Sequence, residues 1–338
     1  VKTALVAGGS GFIGSHLVDF LLARDYAVTV VDSLVTGRAS NLAAARAEFG
    51  TGTSTRSARL RIVTADIRDA AALRTALGKD IRFDEIYNLA SPASPVDFAS
   101  MPILILETGA IGHRNLLDLA REHGARILFA SSSEVYGDAE VHPQVESYFG
   151  NVNTVGHRSC YDEAKRFGEA LTLSYAIEHG VEARMVRIFN TYGARMRPDD
   201  GRIIPNFFIQ ALRGQPLTIY GDGSQTRSFC FVSDQVAGQF ALMQSSERRP
   251  TNIGNPIERT VLEIATAVNA LTGNTAAVRH LPLPENDPKL RRPDITRARE
   301  SFGWQPSVSL EEGLKHCLDY FRAEMKSRPD VQARVLGG

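Results

Sequence analysis

Thr3-Ala4-Leu5-Val6-Ala7-Gly8-Gly9-Ser10-Gly11-Phe12-Ile13-Gly14 decides the fold. The apolar run Thr3–Ala7 predicts a buried strand. Apolar residues at Ile13, Leu17, Phe20 and Leu21 follow helical spacing and predict a helix over Phe12–Arg24. Between them, Gly8, Gly11 and Gly14 permit a tight turn, close approach of a pyrophosphate, and close helix–strand packing. The helix N-terminus then faces the phosphates, with Phe12 and Ile13 in its first turn. An ordinary glycine turn is the bland alternative, so the context has to decide.

Working outward, Ala27–Val31, Leu60–Thr64, Glu85–Asn88, Arg126–Ala130 and Ala183–Ile188 read as further buried strands, most of them separated by helical segments. Such alternation implies parallel strands joined by crossovers and covered on both faces. The expected class is α/β, a Rossmann-type doubly wound parallel sheet with a smaller mixed α/β lobe. After about residue 190 the segments shorten, and Pro and Gly punctuate them. We expect residues 1–190 to bind the dinucleotide and residues 191–325 mainly to hold a substrate, with some segments returning to the first unit. Residues 326–338 read as a loosely held tail. Ala43–Arg59 reads as a surface loop or frayed helix. Ser309 with Glu312 forms a capping-box pattern that opens a helix carrying Leu310, Leu314, Cys317, Leu318 and Phe321 on one face.

The 338 residues carry 38 Lys+Arg against 38 Asp+Glu, and this balance argues against bulk electrostatic binding of nucleic acid or an anionic membrane. At 43% hydrophobic and 22% charged, the composition is globular. Cys160, Cys230 and Cys317 are odd in number and lack metal spacing. They suit a reducing compartment and predict neither a disulfide framework nor a metal site. No apolar run reaches transmembrane length and no leader pattern opens the chain, so the expectation is a cytoplasmic protein.

Asp32 closes the second strand 18 residues after Gly14, where a carboxylate can accept hydrogen bonds from ribose hydroxyls. It would repel a 2′-phosphate, so NAD is favoured over NADP, a preference tempered by nearby Arg38. Asp66 and Ile67, just past the third strand, are candidates to flank the adenine, with a helix cap as the alternative for Asp66. Tyr161 and Lys165 lie one helical turn apart on one face. An ammonium beside a phenol favours the phenolate and lowers the tyrosine pKa. Ser131-Ser132-Ser133-Glu134-Val135-Tyr136-Gly137 follows a strand whose end should lie beside the cofactor.

Together the glycine turn, the serine-rich turn and Tyr161-x-x-x-Lys165 resemble the extended short-chain dehydrogenase/reductases that act on nucleotide sugars. Ala90-Ser91-Pro92-Ala93-Ser94-Pro95, Arg158–Glu163, Arg187–Gly193 and Gly221–Phe229 sharpen this into a resemblance to UDP-glucuronate decarboxylases, running from the first strand to about residue 322. The resemblance implies that Ser132 bonds the sugar O4, that Tyr161 is the base and that Lys165 is its electrostatic partner. It implies that Asn190 and Arg227 hold the diphosphate, that Tyr220 lies near the nucleoside, and that Arg291 lies near the phosphate or the reacting sugar. It also implies a homodimer, through segments around Ile103–Glu122 and Tyr161–His179. Gly109 departs from the family, which usually has Asn there.

Three reactions share oxidation at C4. A 4,6-dehydratase needs an acid where this chain has Ser133, and a 4-epimerase leaves Glu134 unexplained. Decarboxylation of UDP- or dTDP-glucuronate to the xylose gives Ser133 and Glu134 the task of positioning or protonating the intermediate. It gives Arg158 the substrate carboxylate to bind. A non-catalytic NAD-sensing scaffold is the alternative from another class, disfavoured because both Tyr161 and Lys165 are present.

Overall fold

The computed structural model describes residues 1–50, 59–282 and 291–334. The first half runs β1 (Thr3–Ala7), α1 (Phe12–Leu22), β2 (Ala27–Asp32), α2 (Ala43–Phe49), β3 (Leu60–Thr64), α3 (Ala70–Leu77), β4 (Glu85–Asn88), α4 (Pro95–Ser100), α5 (Pro102–Glu107), α6 (His113–His123), β5 (Arg126–Ser132), α7 (Ser159–His179) and β6 (Ala183–Ile188). There follow β7 (Thr191–Tyr192), α8 (Ile203–Leu212), β8 (Thr218–Tyr220), β9 (Thr226–Ser228), β10 (Cys230–Phe231), α9 (Val232–Gln244) and β11 (Thr251–Ile253). The chain closes with β12 (Glu258–Thr260), α10 (Val261–Thr272), β13 (Arg279–Leu281), α11 (Thr296–Phe302) and α12 (Leu310–Ser327).

Seven parallel strands form one sheet in the order β11-β6-β5-β4-β1-β2-β3. All six strands read from the sequence lie in it. The seventh, β11, joins beside β6 through Thr251↔Val186 to Ile253↔Ile188. Strand order reverses where β1 meets both β2 and β4, which opens a crevice at the carboxyl ends. Both faces are covered, which is why β1 is apolar without alternation. Ala4 and Val6 pack with Leu17, Val18 and Leu21 of α1, whereas Leu5 and Ala7 pack with Leu116, Leu117 and Ala120 of α6.

A second apolar cluster joins α8, α10 and α12 through Phe207, Phe208, Ile264, Leu314 and Phe321, with Phe208 stacked on Phe321. Phe12 and Phe231 pack against both clusters. Ser309 Oγ accepts the Glu312 N–H and starts α12 as the spacing predicted, while the full reciprocal capping box forms at Thr260 and Glu263. The tail differs from expectation as far as residue 334. Val331 is buried in the second cluster, Arg213 donates to the carbonyls of Pro329 and Val331, and Asn206 bonds Arg334. Residues 335–338 lie outside the described residues. Of Ala43–Arg59, the first seven residues are helical, and residues 51–58 lie outside the described residues. All three cysteines are free and buried.

The segment around Ile103–Glu122 is broken by a π-helical turn at Thr108–Gly112 between α5 and α6. Here Gly109 backs onto α7: a Cβ at this position would lie 2.8 Å from Ala164 Cβ and 3.2 Å from its carbonyl oxygen. The missing side chain lets the bulge approach the helix that carries Tyr161 and Lys165. Installing the family's usual residue, Gly109→Asn, should therefore push the two helices apart. We expect a loss of about 1–3 kcal/mol, read as a lower midpoint in denaturant, together with reduced turnover.

Candidate active site

At the carboxyl end of β1, α1 starts at Gly11 without a side-chain cap or a first-turn acid. Its first N–H groups are left for an anion. Gly11, Phe12, Ile13 and Gly14 all line the main cleft. A Cβ on Gly14 would run into Gly8 O, so that glycine is required by strand–helix packing. Asp32 ends β2 with Oδ2 accepting the Ser10 N–H and Oδ1 the Leu34 N–H, both at 2.8 Å. Burial pushes its pKa up against these two bonds. A branch of the cleft holds Asp32, Asp66 and Ile67 around the same glycine turn. Asp66 is tied to Arg68 by its backbone and guanidinium, and this holds its carboxyl below the usual range. A carboxylate for ribose, uncapped N–H groups for pyrophosphate and an apolar wall beside Asp66 fit a dinucleotide. Arg38 does not join them. Its guanidinium turns to Glu324 at 2.9 Å, and it lines neither branch.

β5 delivers Ser132 to the cleft, the turn after it Ser133, and α7 delivers Tyr161 and Lys165. Ser132 favours the ionised form of the Tyr161 hydroxyl. Lys165 Nζ donates to Ala130 O at 2.9 Å and lies 5.4 Å from the Tyr161 ring centroid and 5.3 Å from that of Phe129. Burial pushes Tyr161 up to about 12, against Ser132 and the Arg202 charge. The Tyr–Lys spacing predicts a lowered tyrosine pKa, and burial reverses that direction. The same burial brings Lys165 down to about 8.

Glu134, in the short 3-10 turn Ser133–Tyr136, accepts from Arg158 Nη2 at 2.7 Å and Arg291 Nη2 at 3.1 Å. Arg291 also donates to Ser133 O at 2.6 Å. Burial disfavours this carboxylate, yet the two guanidiniums outweigh it and hold Glu134 at about 2. Glu134 is therefore a fixed anion in the resting site, and the protonating role expected of it is not available there. Asn190, Arg227 and Arg291 line the cleft, but Tyr220 at the end of β8 does not.

Sequence reasoning missed three groups. Arg202 enters from the start of α8, paired with buried Asp200, and acts on Tyr161 by charge. Asp162 sits between Tyr161 and Lys165, and the spacing of that pair assigns it no task. His113 is fully buried between Asn88 Nδ2 at 2.9 Å and Thr172 Oγ1 at 2.7 Å, stacked on Phe129 at 4.2 Å. Burial brings it to about 3, so it stays neutral. Since Asn88 can only donate through Nδ2, His113 Nδ1 is the acceptor and Nε2 carries the hydrogen. Among the described residues, no group of three or more His, Cys, Asp or Glu side chains could hold a metal, and no helix is long and apolar enough to cross a membrane.

The family model for NAD dependent epimerases and dehydratases matches residues 4–254, which include the glycine turn, Ser132, Tyr161 and Lys165. The chain belongs to this family. Curated relatives include UDP-glucuronic acid decarboxylase 1 of Danio rerio, 45% identical over 98% of this chain and 75% of that protein. UDP-glucuronic acid decarboxylase 2 of Arabidopsis thaliana is 48% identical over 94% of this chain and 68% of that protein. Among solved structures, UDP-glucuronic acid 4-epimerase from Bacillus cereus, in complex with UDP-glucuronic acid and NAD, matches with a TM-score of 0.82 at 26% identity, covering 96% of this chain and 100% of that one. NAD is the cofactor of this family, and the glycine turn with Asp32 fits it. Asp32→Ala should narrow the preference for NAD over NADP by roughly tenfold or more, because the group that repels a 2′-phosphate is gone. Calorimetric titration of both nucleotides checks this, and an unchanged ratio would refute the assignment.

Proposed function

We propose that the chain is an NAD-dependent decarboxylase that converts a nucleotide glucuronate, UDP- or dTDP-linked, to the corresponding xylose through a 4-keto intermediate. The observation that carries this reading is the pair of guanidiniums, Arg158 and Arg291, against the single carboxylate of Glu134 beside Tyr161. Guanidiniums lining the cleft suit a carboxylate on the sugar. The relatives named as decarboxylases support it. The rival is 4-epimerisation, supported by the likeness to an epimerase of the same glucuronate nucleotide.

NAD, when bound, supplies the hydride acceptor at C4 and returns that hydride at the end. Tyr161 takes the C4 hydroxyl proton, Ser132 holds O4, and the Lys165 ammonium favours the phenolate once the cofactor's charge adds to its own. With C4 a ketone, the C5 carboxyl group is β to a carbonyl and departs as CO₂. Its electron pair passes to O4 as an enolate, which Ser132 and Tyr161 hydrogen-bond. Arg158 and Arg291 hold the carboxylate before it leaves, and Asn190 and Arg227 hold the diphosphate. Glu134 positions the two arginines.

The reading carries three subsidiary proposals. Residues 1–190 form the NAD unit and 191–325 mainly the nucleotide-sugar unit. The protein works in the cytoplasm. It pairs with a second copy through the exposed apolar stripe of Ile103, Ile111, Phe167, Leu173 and Ile177 on α5, the π turn and α7. We expect sedimentation at twice the chain mass, and half that for the double variant Phe167→Asp with Ile177→Asp.

Incubating the NAD-loaded protein with UDP-glucuronate and dTDP-glucuronate tests the reaction itself. We expect CO₂ and a pentose that, in heavy water, carries deuterium at C5 but not at C4. Formation of the galacturonate without CO₂ would establish the epimerase instead. Tyr161→Phe should lower turnover by about two to four orders of magnitude with binding largely retained.

A further inference from the structure

Decarboxylation of a glucuronate consumes one proton, and the role assigned here to Asp162 rests on the decarboxylase reading. The substrate loses its carboxylate as neutral CO₂ and C5 gains a hydrogen, whereas the proton on Tyr161 only shuttles to and from O4. The carboxylates lining the main cleft are each held by a guanidinium: Asp97 by Arg197, Asp200 by Arg202, and Glu134 by Arg158 and Arg291. Asp162, which follows the cleft-lining Tyr161 in the chain, is held differently. It is 6% exposed, and its Oδ1 is buried without a hydrogen-bond partner. It occupies the first turn of α7, next to Tyr161 and one turn after Arg158, whose carbonyl accepts its N–H at 3.1 Å.

The charges acting on Asp162 come from every side of the cluster: Glu134 from the turn after β5, Arg158 and Glu163 from its own helix, and Arg291 from the segment before α11. Burial and the Glu134 charge outweigh the arginines, and the carboxyl is pushed up to about 7. Near neutral pH its charge is therefore set by small changes around it.

We propose that Asp162 makes recognition of the sugar carboxylate proton-linked, taking up a proton from solvent as that carboxylate docks on Arg158 and Arg291. With Asp162 protonated, the incoming carboxylate meets one negative charge fewer beside Arg158 and Arg291. With Asp162 ionised, the same carboxylate would bring a further negative charge beside Glu134 and Asp162 in a largely buried site. Binding of the carboxylate and of the proton thus favour each other, reciprocally. In the docking step one O–H bond forms on Asp162 at the expense of a solvent hydronium or buffer acid, and no other bond changes. A nucleotide sugar without the C5 carboxylate brings the same diphosphate but no added charge to Arg158 and Arg291, and takes up no proton there, so Asp162 acts as a specificity residue. The proton gained on binding equals in number the one the reaction consumes.

The test uses the NAD-loaded Tyr161→Phe protein, in which turnover is slowed by orders of magnitude. UDP-glucuronate and UDP-glucose are titrated calorimetrically at pH 7.5 in buffers of different ionisation enthalpy, whose slope counts protons. We expect uptake of roughly half a proton or more with UDP-glucuronate and about none with UDP-glucose, with affinity for the former weakening by up to about tenfold per pH unit above 7. Adding Asp162→Asn should abolish the uptake and flatten the pH dependence, and Asp162→Glu should restore both. Should the Asn variant not fold, the Glu variant and the pH series of the Tyr161→Phe protein decide the matter. No uptake by Tyr161→Phe, or equal uptake after Asp162→Asn, overturns the proposal. CO₂ release without linked uptake removes this inference alone. Linked uptake without CO₂ release by the wild type removes the decarboxylase reading alone.

Discussion

The carboxylate of Glu134 is the constraint around which the site is assembled. Its side chain is 15% exposed, and an anion so far removed from water costs several kcal/mol unless it is paired and bonded. The two partners come from remote parts of the chain, Arg158 at the start of α7 and Arg291 beyond β13. To satisfy one carboxylate, the end of β5, the beginning of the tyrosine helix and the segment that leads into α11 must meet at one point. Arg291 secures the junction twice, through Glu134 and through the Ser133 carbonyl. Removing either arginine would leave Glu134 with a single guanidinium, enough to balance its charge but one bond fewer to hold the three segments together.

Environment then gives chemically similar groups different tasks. Glu134 between two guanidiniums stays charged, while Asp162 a short way off, with burial and a like charge against it, is poised to take a proton. Tyr161 and Lys165 are shifted towards their neutral forms by the same dry surroundings. The site at rest therefore awaits the charges that cofactor and substrate bring.

Local periodicity made the first turn of the fold legible, because a strand buried on both faces and a helix with one apolar face leave distinct patterns within twelve residues. The six strands before residue 190, the Ser309 helix start, and the placement of Asp32, Ser132, Tyr161 and Lys165 all followed from such patterns or from the family resemblance. What escaped depends on partners distant in sequence. Asp162 carried no local signal because its environment is made by Glu134 and Arg291. Arg38 sits near the cofactor turn in sequence, yet Glu324 draws its guanidinium elsewhere. Burial, which sets the direction of the Tyr161 shift, is a property of the closed cleft and not of the Tyr-x-x-x-Lys spacing. The docking of residues 328–334 was hidden for the same reason, since Arg213 and Asn206 hold it from α8 and the turn after it.

The position of β11 has a bearing on how the chain is made. β6 ends at residue 188, but the strand that covers its outer edge begins only at residue 251. As the polypeptide leaves the ribosome from its N-terminus, the sheet is left with a bare row of N–H and C=O groups throughout the synthesis of β7 to β10 and the helices among them. An uncovered strand edge is a template for pairing with another chain. The nascent protein is thus most vulnerable to mispairing in that interval, and the three residues Thr251–Ile253 end it by completing the sheet.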